Sequence, residues 1–255
     1  MSYQLIDSHC HIVCDQLYER IDEVIENARQ HSIGKMLVVA THFDEYDRAK
    51  TLQKQYDEID VAMGFHPCDL YDFEEKDYVR LEQLIKNRDI VALGEIGLDY
   101  HWDNVPREIQ KEGFIRQIKL ANQYGIPILI HMREATKDTL DILKTYCKTK
   151  FLMHCYSGSK ETAQEIMRMG GYLSFAGPLT FKNARGLNEV PQVCDKSRIL
   201  VETDCPYLTP HPFRGKQNEP MYVEHTFLKL CELLQLEEAS LAKQLQDNYR
   251  KLLEY

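Results

Sequence analysis

Two histidines one residue apart, His9 and His11, close the stretch Leu5-Ile6-Asp7-Ser8-His9-Cys10-His11. Side chains alternate faces along an extended strand, so both imidazoles point the same way and can hold one metal ion together. A catalytic centre of the zinc or manganese type needs three or more protein ligands and an open position, so the pair requires partners from elsewhere in the chain. Four candidates each end a short apolar run: Glu95 after Val91-Ala92-Leu93-Gly94, His131 after Pro127-Ile128-Leu129-Ile130, His154 after Phe151-Leu152-Met153, and Asp204 after Ile199-Leu200-Val201-Glu202-Thr203. Four imidazoles and two carboxylates suit a pair of divalent ions with a bridging carboxylate. Taken singly, a strand-terminal histidine is more often structural, and a carboxylate there often caps the next helix. Six together at one rim argue for a site.

The elements that must position these groups follow from the hydropathy pattern. Short apolar runs alternate with amphipathic stretches, which points to an α/β fold of parallel strands covered by helices. The predicted strands are residues 4–8, 35–40, 59–65, 90–95, 127–131, 150–154, 171–175 and 198–202. Runs such as Ile90-Val91-Ala92-Leu93 are apolar without alternation, as expected of strands buried on both faces. Ile21, Val24, Ile25 and Ala28 keep helical spacing, as do Phe227, Leu230, Cys231 and Leu234. Gly125 before Ile126-Pro127 reads as a helix stop feeding a strand. Eight such units in 255 residues predict one domain over 1–255, a closed (β/α)8 barrel with the metal site at the C-terminal end of its strands. The irregular stretch 203–221 follows the last strand, where barrel enzymes build their sites, and 222–253 reads as one or two helices.

A formal net charge of −9 argues against a broad basic face gripping long nucleic acid. Bound divalent ions would invert that balance locally. The eight cysteines include no Cys-x-x-Cys pair and fit a reducing compartment. With no cationic leader and no apolar run of about 20 residues, the expectation is a soluble, cytoplasmic protein without a membrane span.

The sequence resembles the TatD family of metal-dependent hydrolases, within the wider amidohydrolase-like barrels, over nearly its whole length. The likeness rests on Asp7-Ser8-His9-Cys10-His11, Gly64-Phe65-His66-Pro67, Gly94-Glu95-Ile96-Gly97-Leu98-Asp99-Tyr100, Ile130-His131, His154-Cys155-Tyr156-Ser157-Gly158, Glu202-Thr203-Asp204-Cys205-Pro206-Tyr207-Leu208, and Arg214-Gly215-Lys216 leading to Asn218-Glu219-Pro220. The resemblance implies a TIM-type barrel and phosphodiester hydrolysis, usually as a deoxyribonuclease, with 3′-to-5′ exonuclease activity in some members. It implies two divalent ions, from among Zn, Mn, Mg, Co or Ni: His9, His11 and Asp204 on the first, Glu95 bridging, His131 and His154 on the second. His66 matches a position close to the substrate phosphate. A histidine is frequent two residues later in relatives; here that residue is Cys68.

The chemistry expected is attack on phosphorus by metal-bound water, with Asp204 orienting that water and taking its proton, Glu95 bridging, and His66 bonding a phosphoryl oxygen or helping to protonate the leaving group. Arg133, two residues beyond a ligand, and Arg214, within the family motif, are expected phosphate contacts, whereas Lys182 and Lys216 read equally well as solvated charge. Tyr156, Tyr100, Trp102 and Tyr207 are candidates to stack on a base, although packing is the commoner fate of an aromatic. His31, His42, His211 and His225 read as surface or capping residues, and Cys10 and Cys155 as packing. The expected partner is DNA, single-stranded or at its ends, bound by a monomer with no obligate protein partner. A rival is hydrolysis of a cyclic amide or an ester, including deacylation of mischarged transfer RNA. Many amidohydrolase-like sites of that kind are bridged by a modified lysine where this chain has Glu95. A non-catalytic binding barrel is the third reading, and loss of a ligand would be its signature; none is lost.

Overall fold

The computed structural model describes residues 3–102 and 104–254. Eight strands form one parallel sheet in sequence order: β1 Leu5–Cys10, β2 Ile33–Ala40, β3 Ile59–Met63, β4 Ala92–Asp99, β5 Ile128–Arg133, β6 Phe151–Met153, β7 Tyr172–Phe175 and β8 Ile199–Val201. Helices alternate with them, as right-handed crossovers between parallel strands require. The sheet curls until β8 returns to β1, so the predicted barrel is the observed architecture. This seam is stitched by mixed bonds: the Asp204 N–H donates to the His9 carbonyl at 3.0 Å, and Ser8 Oγ donates to the Val201 carbonyl at 2.9 Å.

Burial explains the strand sequences. β1, β4 and β8 have no exposed residue, because one face lines the barrel interior and the other lies under helices. The helix Ile21–Gln30 buries Val24, Ile25 and Ala28, and Val223–Leu234 buries Phe227, Leu230, Cys231 and Leu234, the stripes read from their spacing. Gly125 ends the helix Arg107–Tyr124 in the left-handed region, at φ +71°. The last helix, Glu238–Leu253, crosses the end of the barrel where strands begin: Asn248 donates to the Ile199 carbonyl at 2.8 Å, and the Tyr249 hydroxyl to Asp60 at 2.8 Å. The opposite end is left open for chemistry. Among the described residues no helix is long and apolar enough to cross a membrane.

Three strands run past their predicted ends, β1 among them, which reaches Cys10. β4 continues to Asp99 and β5 to Arg133, so Glu95 and His131 lie within strands and not at their tips. Pairing of β4 with β5 shifts register between Leu93 and Ile96, and pairing of β1 with β2 shifts between Asp7 and Cys10. Both irregularities fall on candidate ligands. An extra residue re-aims the side chains around it, which is how a mid-strand Glu95 can turn into the mouth.

Candidate metal centre

All six ligands expected from the sequence converge at the C-terminal end of the barrel. Their donor atoms sort into two sets that share Glu95. In the first, His9 Nε2 and His11 Nε2 stand 3.1 Å apart, and Glu95 Oε2 lies 3.3 Å from His9 and 3.5 Å from His11. Asp204 Oδ1 completes it at 4.0 Å from His9 and 3.6 Å from His11. In the second, Glu95 Oε1 lies 2.6 Å from His131 Nδ1 and 2.7 Å from His154 Nε2, with 3.3 Å between the two ring nitrogens. Ligand bonds of about 2.0–2.2 Å place neighbouring donors roughly 3–3.5 Å apart around a divalent ion, so both sets have the scale of a coordination shell.

The outer nitrogens decide whether these rings can be ligands. His11 Nδ1–H donates to the Val39 carbonyl at 3.0 Å, His131 Nε2–H to Asp99 at 2.9 Å, and His154 Nδ1–H to Glu202 at 3.3 Å. Each bond keeps a proton on the far nitrogen and turns the inner nitrogen to the cluster, the arrangement of metal-ligating histidines once that inner nitrogen has given up its own proton. Glu202 is itself held by the Ser174 hydroxyl. His9 is the exception: its Nδ1 is buried without a partner among the described residues, and its ring stacks on His154 at 4.0 Å between centroids.

Beneath the cluster a buried Asp7 fixes the seam. The Thr203 N–H donates to it at 2.9 Å, the Thr203 hydroxyl bonds its other oxygen, and the His9 N–H reaches it at 3.3 Å. Burial raises its pKa to about 8 against those bonds. Asp204, one residue beyond Thr203, takes the left-handed conformation at φ +55°, a costly geometry for a residue with a side chain and one found at sites where surrounding bonds enforce it.

The electrostatics belong to a cluster whose charges are paired. Burial opposes charge on His11, His131 and His154, but facing carboxylates outweigh it and raise all three pKa values: Asp204 and Glu95 for His11, Asp99 and Glu95 for His131, Glu95 and Glu202 for His154. Glu95 and Asp204 are held below the usual carboxylate range for the converse reason, the surrounding histidines overcoming burial. His9 is lowered by burial and by its neighbour His154.

His66 stands beside the second set, with Nε2 3.7 Å from Glu95 Oε1. Its Nδ1 accepts the Cys68 N–H at 3.2 Å, so the ring's proton resides on Nε2. Burial lowers its pKa to about 3, which keeps it neutral. A ring so disposed donates one hydrogen bond into the mouth; it is not arranged as a further ligand, nor as a proton source at neutral pH.

Arg133 and Trp102 line the mouth, as do Tyr207 and Cys68. Tyr156 and Arg214, expected to touch substrate, do not. Tyr156 is 3% exposed, with its hydroxyl donating to the Ser159 carbonyl at 2.6 Å, and it packs beneath the loop after β6. Arg214 lies over the Phe181 ring at 4.1 Å, outside the mouth, where cation–π attraction and solvent satisfy it. Lys182 and Lys216 are likewise outside it. Tyr100 is tied to Asp138 at 2.7 Å. Conversely, Asp99, Glu202 and Asn218 gain roles that type and spacing did not single out, although each falls within a quoted motif. Asn218 is fully buried and braces the long loop by donating to the carbonyls of Thr203 and Tyr207, at 2.9 and 2.5 Å.

The family model described as TatD related DNase matches residues 6–254. The chain is 43% identical to YabD of Bacillus subtilis, named an uncharacterized metal-dependent hydrolase, over 97% of this chain and 98% of that one. It is 34% identical to YcfH of Escherichia coli K12, named in the same way, over 97% and 95%. Among solved structures, that of YjjV, a TatD homolog from Escherichia coli K12, superposes with a TM-score of 0.92 at 29% identity, covering 99% of this chain and 98% of that one.

Proposed function

Because the chain belongs to the TatD-related DNase family of metal-dependent hydrolases, we propose that it hydrolyses phosphodiester bonds, as a deoxyribonuclease acting on single strands or strand ends with 3′-to-5′ polarity. The observation that carries this reading is Glu95, a carboxylate whose two oxygens each face a separate donor set. His9, His11, Glu95 and Asp204 would hold one divalent ion, and Glu95, His131 and His154 the other. Four imidazoles favour Zn, Mn, Co or Ni over Mg. When bound, such ions polarise phosphoryl oxygens and bring the pKa of water from about 15.7 towards 7.

The remaining work falls to the chain's own residues. Asp204 is ionised and reaches the mouth, where it orients the attacking water and accepts its proton. The neutral His66 donates Nε2–H to a phosphoryl oxygen. Arg133 offsets charge on the substrate from the rim. This reading places the protein in the cytoplasm as a monomer without an obligate protein partner.

The test is metal-free protein titrated with Mg²⁺, Mn²⁺, Zn²⁺ and Co²⁺ against single- and double-stranded DNA labelled separately at each end, with aminoacyl-tRNA assayed in parallel. Metal-dependent shortening from the 3′ end is expected. Release of the amino acid with no cut DNA would overturn the proposal in favour of ester hydrolysis.

A further inference from the structure

The mouth holds a cavity of about 810 Å³, within the range of roughly 300–1,000 Å³ found for small-molecule sites. Its charge is unlike that of a channel for a polyanion. Among the described residues lining it, Arg133 is the one lysine or arginine, set against the carboxylates of Glu45, Asp69, Glu95, Asp99 and Asp204. Glu95 and Asp204 face the donor sets and Asp99 is engaged by His131; Glu45, which accepts the Thr41 N–H at 2.9 Å, and Asp69, 3.8 Å from His66, add two further carboxylates to the lining after β2 and β3. Proteins that track a single strand join stacking aromatics to a positively charged groove. Here the aromatics are present, but among the described residues lining the cavity no second lysine or arginine accompanies Arg133, and Lys182, Arg214 and Lys216 are not part of that lining.

The aromatics themselves are placed for two flanking rings. Trp102 follows β4 and Tyr207 follows β8, strands four places apart in an eight-strand order and so on opposite sides of the mouth. Both line the cavity, and both are more than half exposed, at 56% and 60%, although large aromatics normally lose water by packing. The Arg133 guanidinium lies 5.7 Å from the Trp102 ring, which puts that cation beside one of the two walls.

We propose that the mouth takes a dinucleotide-sized phosphodiester, its single phosphate at the donor sets and its two bases against Trp102 and Tyr207, and that a longer chain adds nothing to recognition. The inference rests on the phosphodiesterase reading above. In the reaction the water oxygen joins phosphorus and the bond from phosphorus to one sugar oxygen breaks. That oxygen leaves as a hydroxyl carrying one of the water's protons, and the other stays with the phosphate or passes to solvent. The products are one nucleoside and one nucleotide.

The test uses the full, Mn²⁺-loaded protein with DNA of 2 to 20 nucleotides, measuring kcat/KM between about 25 and 200 mM salt, and methyl p-nitrophenyl phosphate as a minimal diester. The expected result is a kcat/KM for the dinucleotide within about threefold of that for the 20-mer, and a log–log salt slope near −0.7, the value for one neutralised phosphate. Trp102→Ala and Tyr207→Ala should each lower dinucleotide kcat/KM roughly tenfold through KM, with Trp102→Phe and Tyr207→Phe restoring most of it. A kcat/KM that climbs more than about tenfold with length, or a slope steeper than about −2, overturns the inference while leaving the phosphodiesterase reading intact. Failure to hydrolyse any of these diesters, including the minimal one, removes both.

Discussion

Asp99 and His131 are joined at 2.9 Å through the ring nitrogen that faces away from Glu95. The carboxylate sets the tautomer and angle of a ring whose inner nitrogen belongs to the second donor set, so Asp99 acts on the metal through His131. Asp99→Ala should weaken binding of the second ion about 10- to 100-fold, with Asp99→Asn intermediate and turnover recovering at high metal concentration. Calorimetric titration with Mn²⁺ reads the affinity directly, and an unchanged isotherm would remove Asp99 from this role.

Glu95 and Asp204 carry the charge that the donor sets need. Glu95→Gln and Asp204→Asn should each reduce metal-dependent turnover at least about a hundredfold. Asparagine tolerates the left-handed backbone at position 204, so the circular dichroism spectrum should be unchanged. Full activity in either variant would sink the metal-centre assignment.

Metal uptake should release protons. His11, His131 and His154 have pKa values raised above the ordinary 6.5, so in the metal-free protein these rings carry protons near neutral pH that a cation must displace. Their contribution to folding has a defined sign. It is fully present below 6.5 and is lost as pH rises through the folded values, while apparent metal affinity rises over the same interval. Titration at pH 7 in two buffers of different ionisation enthalpy should give heats that differ in the direction of proton release; equal heats would contradict it.

Gly97 should not accept a side chain. Its φ is +147°, and a Cβ there would lie 2.0 Å from the His131 carbonyl oxygen on the neighbouring strand. Gly97→Ala should cost about 3 kcal/mol or more and loosen the second donor set with it, since His131 must move away. Thermal melts with and without Mn²⁺ measure both effects, and a variant as stable as the parent would show that β4 can shift without harm.

What could be read from the chain, and what could not, follows from how far each signal reaches. His9, His11 and the four later ligands were legible because each closes an apolar run, and barrel topology carries all run ends to one mouth. The eight strands were legible for the same reason. Their ends were less so: β1, β4 and β5 run on past their predicted ends, and a register shift that no residue type announces falls at Glu95. Asp99, Glu202 and Asn218 have types that could cap or solvate anywhere, and only three-dimensional distance shows that they hold a ligand or brace a loop. Tyr156 and Arg214 are not among the residues lining the mouth, because neither nearness to a ligand in sequence, as for Tyr156, nor membership of a motif, as for Arg214, determines which way a loop side chain turns.

The seam between β8 and β1 has a consequence for the protein's life before it is finished. The first donor set draws His9 and His11 from the first strand and Asp204 from just beyond the last, and the bond from the Asp204 N–H to the His9 carbonyl closes ring and set together. A chain still on the ribosome, or cut short before β8, holds two histidines and no carboxylate from the far side. Long-range pairings of this kind are intrinsically slow to form. The first donor set is therefore complete only when the barrel is, and a copy cut short before β8 lacks the Asp204 carboxylate that closes it.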